Sequence, residues 1–457
     1  MMIKSHFKFV VIGFLLLAAY ATVGQSAILD KYVKEALDNN LTVQSEFLRK
    51  EKQDSRIEQA KKLWRPSVDF AGSYLFAEGG RKLNFPVGDL FNPVYSTLNQ
   101  LTQTNQFPTD LENLNTQLTP NNFIDMQFSI VQPIVNSAIK YNQMIQNELI
   151  RINDLDIALS QNEIAAQVKT GYYNYLKTFE GLRILEETEI LLEDVLNFNK
   201  KLVQYDKATP DILSDVEFQI ANLSSQRAIL QEQQQLAKAF FNLLRNQPLD
   251  TAIEVDENLV QGNFTNNQSI ADLKTKAFAN RLEFKKLDVA TAVNALNRKR
   301  ISKEGNPTLG VSGGVGLQVE EFNFDISGPL FTLAVGMNWS IFDGGVRKKR
   351  MEEIQIDQRI LENDRSQLQQ KIEIDITQIF YKLQSLQIQM QAEQVAVNSA
   401  RKSYNAIKKR YENDKAILIE LLRAQNSLTT SELSKSLTKY DYLIQLAELE
   451  KTVGGNN

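Results

Sequence analysis

Two long stretches without proline constrain the fold of this chain more than any other feature. One spans 137–205 and contains only two glycines, Gly171 and Gly181; the other spans 344–412 and has no glycine after Gly345. Because proline and glycine are the residues that most disfavour a helix interior, each stretch is predicted to be one continuous α-helix. At a rise of ~1.5 Å per residue each helix would be about 100 Å long, roughly three times the hydrocarbon thickness of a bilayer.

The apolar residues of the second stretch recur with the spacing of a coiled coil. Two interleaved series repeat with a heptad period, and Glu393 interrupts the first of them. The first series is Ile372, Ile379, Leu386, Ala400 and Ile407; the second is Ile376, Leu383, Met390, Val397, Tyr404 and Tyr411. This spacing favours packing against a neighbouring helix. The shorter predicted helices, 211–245 and 419–451, would run back antiparallel to the long ones.

The sequence contains two copies of one plan. The matching segments keep the same order along the chain, although each match is weak alone. They pair 36–41 with 277–282, 65–76 with 306–317, 132–144 with 339–351, and 206–208 with 414–416. The offset changes between Phe76 and Ile124, which indicates an insertion in the first copy. Each copy is predicted as a helix, two β-strands joined by a loop, a very long helix and a returning helix.

The predicted boundaries follow from these copies. The first copy, 25–245, has a helix at 28–63, strands at 66–77 and 123–133, and between them a polar surface loop, 77–121, with a short helix near 94–101. A linker, 246–270, leads to the second copy, 271–457, with a helix at 271–303 and strands at 307–319 and 330–342. Pro66 and Pro307 follow the two opening helices, which they cannot continue.

The four predicted strands alternate apolar and polar residues with period two. In the last strand one face carries Phe331, Leu333, Val335, Met337 and Trp339. Each strand is about ten residues long, which suits a tilted strand that crosses a bilayer, although a soluble sheet with one face on a core shows the same alternation. Four strands cannot close around a lumen, and open edges are not tolerated in lipid. The membrane interpretation therefore requires several chains to pool their strands.

The near absence of histidine and cysteine excludes most catalytic chemistry. The chain has no cysteine, and its single histidine is His6. Residues 1–24 are predicted to be a signal peptide, with Lys4 and Lys8 before the apolar run 9–21; a retained N-terminal anchor is the alternative. A mature chain without His and Cys cannot perform Ser-His-Asp or Cys-His catalysis or form ordinary zinc sites. We expect no cofactor, and the net charge of −4 argues against a nucleic-acid partner.

The stretch 337–350, MNWSIFDGGVRKKR, ends the last predicted strand and begins the second long helix. A glycine pair before a basic helix start could bind phosphate, or it could only turn the chain. The corresponding stretch of the first copy has neither the glycine pair nor the basic cluster, so the shared feature is the turn. We therefore interpret Trp339, Asp343, Gly344 and Gly345 as a strand-to-helix hinge, with Trp339 at a membrane interface and Asp343 capping the helix.

The chain resembles the TolC-type outer membrane efflux proteins. The resemblance lies in the order of elements, the two copies, the WSIFDGG junction at 339–345 and the DKA motifs at 206–208 and 414–416. This resemblance implies an α+β membrane protein with four β-strands per protomer. A homotrimer would form a 12-strand β-barrel that continues into a long antiparallel coiled α-helical barrel, and the loop 77–121 would be extracellular. It also implies a passive exit duct in the outer membrane of a Gram-negative bacterium, extending into the periplasm as part of a tripartite efflux or type I secretion system.

The same resemblance implies partners and a motif at the helix-hairpin ends. The partners would be outer membrane lipid, a periplasmic adaptor (membrane fusion) protein and an inner membrane pump of the RND, ABC or a similar class. The family motif is an aromatic or basic residue, then Gly, then an acidic residue six positions further on. It falls on Tyr411, Asp414 and Glu420 in the second copy, whereas the first copy has Tyr205 at the Gly position and Asp211 at the acidic position.

These positions supply the candidate functional residues. The candidates for the periplasmic entrance or gate are Tyr411, Glu420, Arg423 and Asp211, and those for the adaptor-docking ends are Tyr205, Asp206, Lys207, Asp414 and Lys415. Three copies of Glu420 around a threefold axis would form a carboxylate ring that favours cations, unless Arg423 neutralises it one helical turn away. Tyr404 and Tyr411 also suit core positions of the heptads. Either Asn413 or Asp414 could adopt a left-handed conformation, which Tyr205 disfavours.

Three classes of function can be compared on these features. An exit duct needs neither a nucleophile nor a cofactor, and it explains the strands, the helices and the duplicated plan. A soluble periplasmic coiled-coil adaptor or scaffold explains the helices, but not the two-faced strands. An enzyme that uses paired carboxylates has no positive support. The exit duct is therefore the leading hypothesis, and we expect no enzymatic activity.

Overall fold

The computed structural model describes residues 26–118, 121–257, 259, 268–320 and 329–455. The predicted signal peptide, 1–24, lies outside the described residues, as do part of the linker 246–270 and most of the connection between the last two strands.

The first half of the chain contains α1 (Ala27–Asn39), α2 (Leu41–Lys62), β1 (Ser67–Phe76), β2 (Lys82–Phe85), α3 (Val87–Thr102), β3 (Leu114–Gln117), β4 (Asn122–Val135), α4 (Ser137–Gln204) and α5 (Asp211–Leu244). The second half contains α6 (Ile270–Asn280), α7 (Leu282–Lys303), β5 (Thr308–Glu320), β6 (Leu330–Asn338), α8 (Val346–Glu412) and α9 (Leu418–Thr452). Helix α4 has 68 residues and α8 has 67, and neither is interrupted.

The opening helix of each copy is broken, which corrects the prediction of single helices at 28–63 and 271–303. The chain is extended at Asn40 (ψ 128°) and at Arg281 (ψ 122°). Asn40 Oδ1 accepts a hydrogen bond of 2.9 Å from the backbone N–H of Thr42, so its side chain caps the start of α2. Neither break involves proline or glycine, and for this reason the sequence pattern did not show it.

The four longer strands form one antiparallel sheet in the order β1–β4–β5–β6. Strand β6 ends at Asn338, opposite Thr308, rather than at 342 as predicted. The residue before Thr308 is Pro307, which has no N–H to offer a longer partner strand. Trp339 therefore follows the last strand instead of belonging to it.

The described chain forms two compact units, and each takes residues from both predicted copies. The first unit comprises 26–52, 151–290 and 360–455, and the second comprises 53–150 and 291–359. The boundary between the units falls within α2, α4, α7 and α8. The compact units therefore do not coincide with the copies predicted along the chain.

The core of the first unit is aromatic and contains polar groups that are hydrogen-bonded. The Tyr172 hydroxyl donates to the carbonyl oxygen of Glu254 at 2.9 Å and accepts from the N–H of Asp256 at 3.0 Å; burial raises the pKa of this hydroxyl. The guanidinium of Arg245 stacks 4.2 Å from the ring centre of Tyr32 and pairs with Glu35 at 2.8 Å. These contacts fix the returning helix α5 against α1.

In the second unit, the segment predicted as a polar loop, 77–121, folds around α3. Strands β2 and β3 pair antiparallel, and α3 is longer than the helix predicted near 94–101. Two asparagines of α3 form hydrogen bonds with the backbone of the following segment, each as donor and as acceptor. The amide of Asn92 exchanges hydrogen bonds with the backbone of Leu111, both at 2.9 Å, and Asn99 does the same with Phe107 at 2.8 and 3.0 Å. The amide side chains therefore order this segment instead of leaving it a solvated loop.

Candidate functional site

The four-stranded sheet has one apolar face, and all four strands contribute to it. Residues directly opposite each other in neighbouring strands share a face. Phe70 lies opposite Phe128, Phe128 opposite Val315, and Val315 opposite Phe331. The rings of Phe70 and Phe128 are 4.8 Å apart. The second face carries polar and small residues, such as Asp69 opposite Ser129.

The apolar face is largely exposed on β1, β4 and β6, unlike that of a sheet packed on a core, whereas on β5 its residues range from exposed Val315 to buried Val319. On β4, Met126, Phe128 and Ile130 are exposed, whereas the alternating residues Asp125, Gln127 and Ser129 are half-buried. On β6 the exposed fraction reaches 82% at Leu333. Contiguous exposed apolar surface of this kind marks an interaction with protein or membrane.

Both edges of the sheet lack a neighbouring strand among the described residues. β1 pairs only with β4, and β6 pairs only with β5. Each edge strand therefore presents unpaired backbone N–H and C=O groups, which can template pairing with another chain. No helix in the described part of the chain is long and apolar enough to cross a membrane.

The turn from β6 into α8 is built on two glycines and an aspartate. Gly344 and Gly345 have φ values of 66° and 87°, in the left-handed region that glycine adopts without strain. The carboxylate of Asp343 accepts hydrogen bonds of 3.1 Å from the N–H groups of Gly345 and Arg347. At the same place in the first copy, Asn136 Oδ1 accepts from the N–H groups of Ala138 at 3.0 Å and Ile139 at 3.2 Å.

Three of the four basic residues of this turn lie beside carboxylate groups, so they do not form a vacant anion cradle. Arg350 pairs with Glu304 at 2.6 Å, Lys349 pairs with Glu352 at 2.7 Å, and Arg347 lies 3.5 Å from Asp343. The indole N–H of Trp339 donates to the carbonyl oxygen of Gly305 at 3.0 Å, which ties the turn to the end of α7. Glu304 and Gly305 were not identified from the sequence, because their roles depend on contacts with a segment more than thirty residues away.

The two helix-hairpin ends have the same backbone geometry. Asp206 (φ 56°) and Asp414 (φ 58°) both adopt the left-handed conformation. The N–H of Lys207 donates to Leu202 O, and the N–H of Lys415 donates to Arg410 O, both at 2.8 Å. Together with the shorter-range bonds made by the two aspartates, this is the Schellman arrangement that ends many helices.

This geometry changes the alignment of the first hairpin end. The resemblance aligns Tyr205 with the Gly position of the family motif, but the left-handed residue is Asp206, and Tyr205 is 70% exposed. The two DKA motifs therefore superpose on the same turn, with Asp in the role of Gly. In the second end it is Asp414 rather than Asn413 that adopts the conformation.

The four gate candidates divide into one buried residue and three exposed ones. Tyr411 is only 8% exposed; its hydroxyl donates to Asn199 Oδ1, and its ring packs against Phe198. It is therefore part of the hydrophobic core of the first unit, the alternative that its heptad position allowed. Asp211, Glu420 and Arg423 are exposed.

The possible pairing of Glu420 with Arg423 does not occur, since neither side chain forms an ion pair with any described residue. Each charge is left to the solvent, or to a partner outside this chain. Asn199, the buried partner of Tyr411, was missed by sequence reasoning. Its only signal is an amide on a helix face that is otherwise apolar.

The chain matches a family of known sequences over part of its length. Residues 275–455 match the sequence family described as outer membrane efflux protein. No curated protein sequence matches the chain.

Solved structures that match the chain cover nearly all of it at low sequence identity. The outer membrane protein VceC from Vibrio cholerae is 13% identical over 94% of this chain and 96% of its own, with a TM-score of 0.69. CusC, whose structures show conformational changes that accompany folding and transmembrane channel formation, is 15% identical over 96% of both chains, with a TM-score of 0.73. The open state of the MtrE outer membrane channel of Neisseria gonorrhoeae is 14% identical over 94% of this chain and 89% of its own, with a TM-score of 0.71.

These likenesses, at such low identity, establish the fold of the chain, while the family match covers residues 275–455. The resemblance predicted from the sequence is therefore confirmed: the chain has the fold of the outer membrane channels that it matches, and residues 275–455 carry the sequence pattern of the outer membrane efflux protein family.

Proposed function

We propose that this chain is one protomer of an outer membrane exit duct, a passive homotrimeric channel that crosses the outer membrane and extends through the periplasm. It would serve a tripartite efflux or type I secretion system. The observation that carries the proposal is the apolar face of the sheet, which is largely exposed on β1, β4 and β6 instead of packing on a core. A periplasmic coiled-coil scaffold has no use for such a face.

The apolar face suits lipid by its chemistry and by its length. Exposed apolar surface costs roughly 25 cal/mol per Å² in water, so a sheet that stays in water normally covers it. The four strands contain 10, 14, 13 and 9 residues, and a tilted strand needs about 9–11 residues to cross a bilayer. The face and the strand lengths together support insertion of the sheet in a membrane.

The free edges of the sheet support a closed assembly of several protomers. Open sheet edges are not tolerated in hydrocarbon, because each unpaired backbone group there costs several kcal/mol. Pairing β6 of one protomer with β1 of the next protomer satisfies both edges at once. Three protomers with four strands each would form a 12-strand barrel, the assembly that the resemblance implies.

The hairpin ends are proposed as the surface for the periplasmic partners. Tyr205, Lys207 and Lys415 are exposed beside rigid turns, so they can contact an adaptor without ordering a loop. Glu420 and Asp211 are exposed near the same ends and have no neutralising partner within the described chain. We place them at the entrance, with Tyr411 supporting the hairpin from inside.

The proposal is tested by where the full-length protein resides and what it conducts. We expect it in the outer membrane fraction as a trimer that resists detergent and dissociates on heating, and we expect ion conductance in planar bilayers. Recovery as a monomer outside the membrane fraction would contradict the proposal and support the scaffold alternative.

A further inference from the structure

Helix α3 has two opposite faces, and one of them packs against the segment that follows the helix. Its positions are spaced four, three and four residues apart: Gly88, Asn92, Tyr95 and Asn99. The two asparagines hydrogen-bond to the backbone of that segment, and the ring centres of Tyr95 and Phe107 are 5.7 Å apart. A Cβ at Gly88 would collide with the carbonyl oxygen of Leu111. This face is therefore in close contact with residues 107–111.

The opposite face of α3 is mostly apolar and is exposed. It consists of Leu90, Val94, Thr97 and Leu101, which repeat with the same spacing but two residues out of step with the packed face. Since each residue advances an α-helix by ~100°, a shift of two residues puts this row on the far side of the helix. Leu90 is 63% exposed, Val94 is 51% exposed and Leu101 is 77% exposed. We call these four residues the α3 stripe.

The spacing of the α3 stripe suits a helix as its partner. Residues that alternate at intervals of three and four form the seam of a coiled coil, where each side chain inserts between side chains of the facing helix. Apolar side chains that remain in water gain nothing from the hydrophobic effect, whereas a facing stripe of the same kind removes them from water. A second copy of α3 offers such a stripe.

The charge of α3 argues against a lipid surface as the partner. An amphipathic helix that lies on a membrane normally carries Lys or Arg beside the anionic headgroups, and α3 contains neither. Its one charged residue is Asp89, whose carboxylate accepts a hydrogen bond of 2.9 Å from the side-chain amide of Asn113. No residue of the α3 stripe is charged, so copies of the stripe can approach one another without electrostatic repulsion.

The place of α3 in the chain determines which copies can meet. The helix follows the end of β1 where Phe76 pairs with Asn122, whereas the other end of β4 leads into α4. The inference rests on the proposed duct, in which α4 enters the periplasm and α3 therefore lies at the extracellular end. A homotrimer would hold three copies of α3 at one rim, and such tethering gives effective concentrations in the millimolar range.

We propose that the α3 stripes of three protomers pack together and cover the extracellular mouth of the duct. The same residues of each copy meet around the threefold axis, which removes Leu90, Val94 and Leu101 from water. Each helix has only 16 residues, and Thr97 interrupts the apolar seam with a hydroxyl group. The contact is therefore weak enough to open for outgoing cargo, and while it is closed it limits the entry of bulky solutes from outside.

The test is crosslinking between protomers of the full-length protein in intact outer membranes. The chain has no cysteine, so Val94→Cys and Leu101→Cys each add a unique thiol to the α3 stripe. A short bis-maleimide should convert both variants into covalent dimers that survive the heating that dissociates the trimer. Ser96→Cys, at an exposed position of α3 outside the stripe, should run as a monomer after heating.

The possible outcomes distinguish the cover from the duct itself. Covalent dimers from the two stripe variants, without dimers from Ser96→Cys, would support the cover. A trimer that yields no covalent dimer would reject the cover and leave the proposed duct standing. In that case, labelling of the stripe thiols by a water-soluble maleimide would indicate a free surface, and protection would indicate lipid or another protein. Equal dimer yields in all three variants would also reject the cover, and absence of the trimer would overturn duct and cover together.

A second experiment asks whether the α3 stripe restricts access to the mouth. Thr332→Cys places a thiol on the polar face of β6, which faces the lumen of the proposed duct. A bulky maleimide added to whole cells should label this thiol faster when Leu90→Asn and Leu101→Asn are also present, because polar side chains weaken the seam. Ser96→Asn is the matched control and should leave the labelling rate unchanged. Equal labelling rates with and without the two stripe substitutions would show that α3 does not cover the mouth.

Discussion

The side-chain amide of Asn40 donates a hydrogen bond of 2.8 Å to the backbone carbonyl oxygen of Leu244, 204 residues further along the chain. Leu244 is the last residue of α5, where helical carbonyls have no partner of their own. In the second predicted copy, Arg281 Nη1 donates to the carbonyl oxygen of Thr452, the last residue of α9, at 3.2 Å. In both predicted copies, the residue that breaks the opening helix also closes the end of the returning helix.

The first prediction concerns this relationship. Asn40→Ala should lower the free energy of unfolding by about 1–3 kcal/mol, because it removes the cap of α2 and leaves a buried carbonyl unsatisfied. Hydrogen exchange should become faster at the backbone amide of Thr42, because in the wild type this N–H donates a hydrogen bond to Asn40 Oδ1. Asn39→Ala is the matched control, since its side chain bonds only to Glu35 within α1. Equal losses in the two variants would show that the long-range bond contributes nothing.

The second prediction concerns the left-handed residue of the second hairpin end. Asp414→Gly should be neutral or slightly stabilising, whereas Asp414→Val should cost about 1–2 kcal/mol, because a β-branched residue is strained at positive φ. The loss should appear as faster hydrogen exchange at the amide of Lys415. Glu412→Val, two residues earlier at the end of α8, controls for the effect of valine on the helix. If Asp414→Gly loosened the turn as much as Asp414→Val, backbone conformation would not be the reason for Asp here.

The third prediction separates the exposed and buried gate candidates. Glu420→Gln should lower the preference for cations in planar bilayers and leave stability unchanged, because Glu420 is exposed without an ion pair in the described chain. Tyr411→Phe should leave ion preference unchanged and lower stability by about 1–3 kcal/mol, since Asn199 loses a buried partner. The reverse outcome, selectivity lost in Tyr411→Phe and kept in Glu420→Gln, would remove Glu420 from the entrance.

The fourth prediction concerns pH. Burial lowers the pKa of Lys439 in α9 to about 8 in the folded chain, against 10.5 for the unperturbed side chain. Between these values the unfolded chain holds a proton that the folded chain has released, so Lys439 makes stability rise with pH in this window. Lys439→Met should flatten that rise and increase the Tm at neutral pH. Lys382→Met, at an exposed lysine of α8, should do neither. A pH profile of Lys439→Met that matches the wild type would contradict the burial of this lysine.

The parts of the fold that local rules determine could be predicted from the sequence. The long helices follow from stretches without proline, and the two-faced strands follow from alternation with period two. The position of the hinge follows from an aspartate and two glycines, although the strand before it ends four residues earlier than the pattern suggested. That end depends on Pro307 in the partner strand, which no local pattern shows.

The remaining features depend on contacts between distant segments. Asn40 and Arg281 break their helices while bonding to residues that lie far along the chain. The segment 77–121 looks polar, yet Asn92 and Asn99 exchange hydrogen bonds with backbone groups of the same segment. At the first hairpin end, the left-handed position falls on Asp206 rather than Tyr205 because the register of the closing hydrogen bonds selects it.

The most direct test of the account asks which face of the sheet meets lipid. The chain has no cysteine, so Leu333→Cys on the apolar face and Thr332→Cys on the polar face of β6 each introduce a unique thiol. In intact membranes, a water-soluble maleimide should label Thr332→Cys and leave Leu333→Cys unlabelled, while both should react after denaturation. Equal labelling of the two thiols in intact membranes would show that the apolar face is not in lipid, and the proposed duct would have to be abandoned.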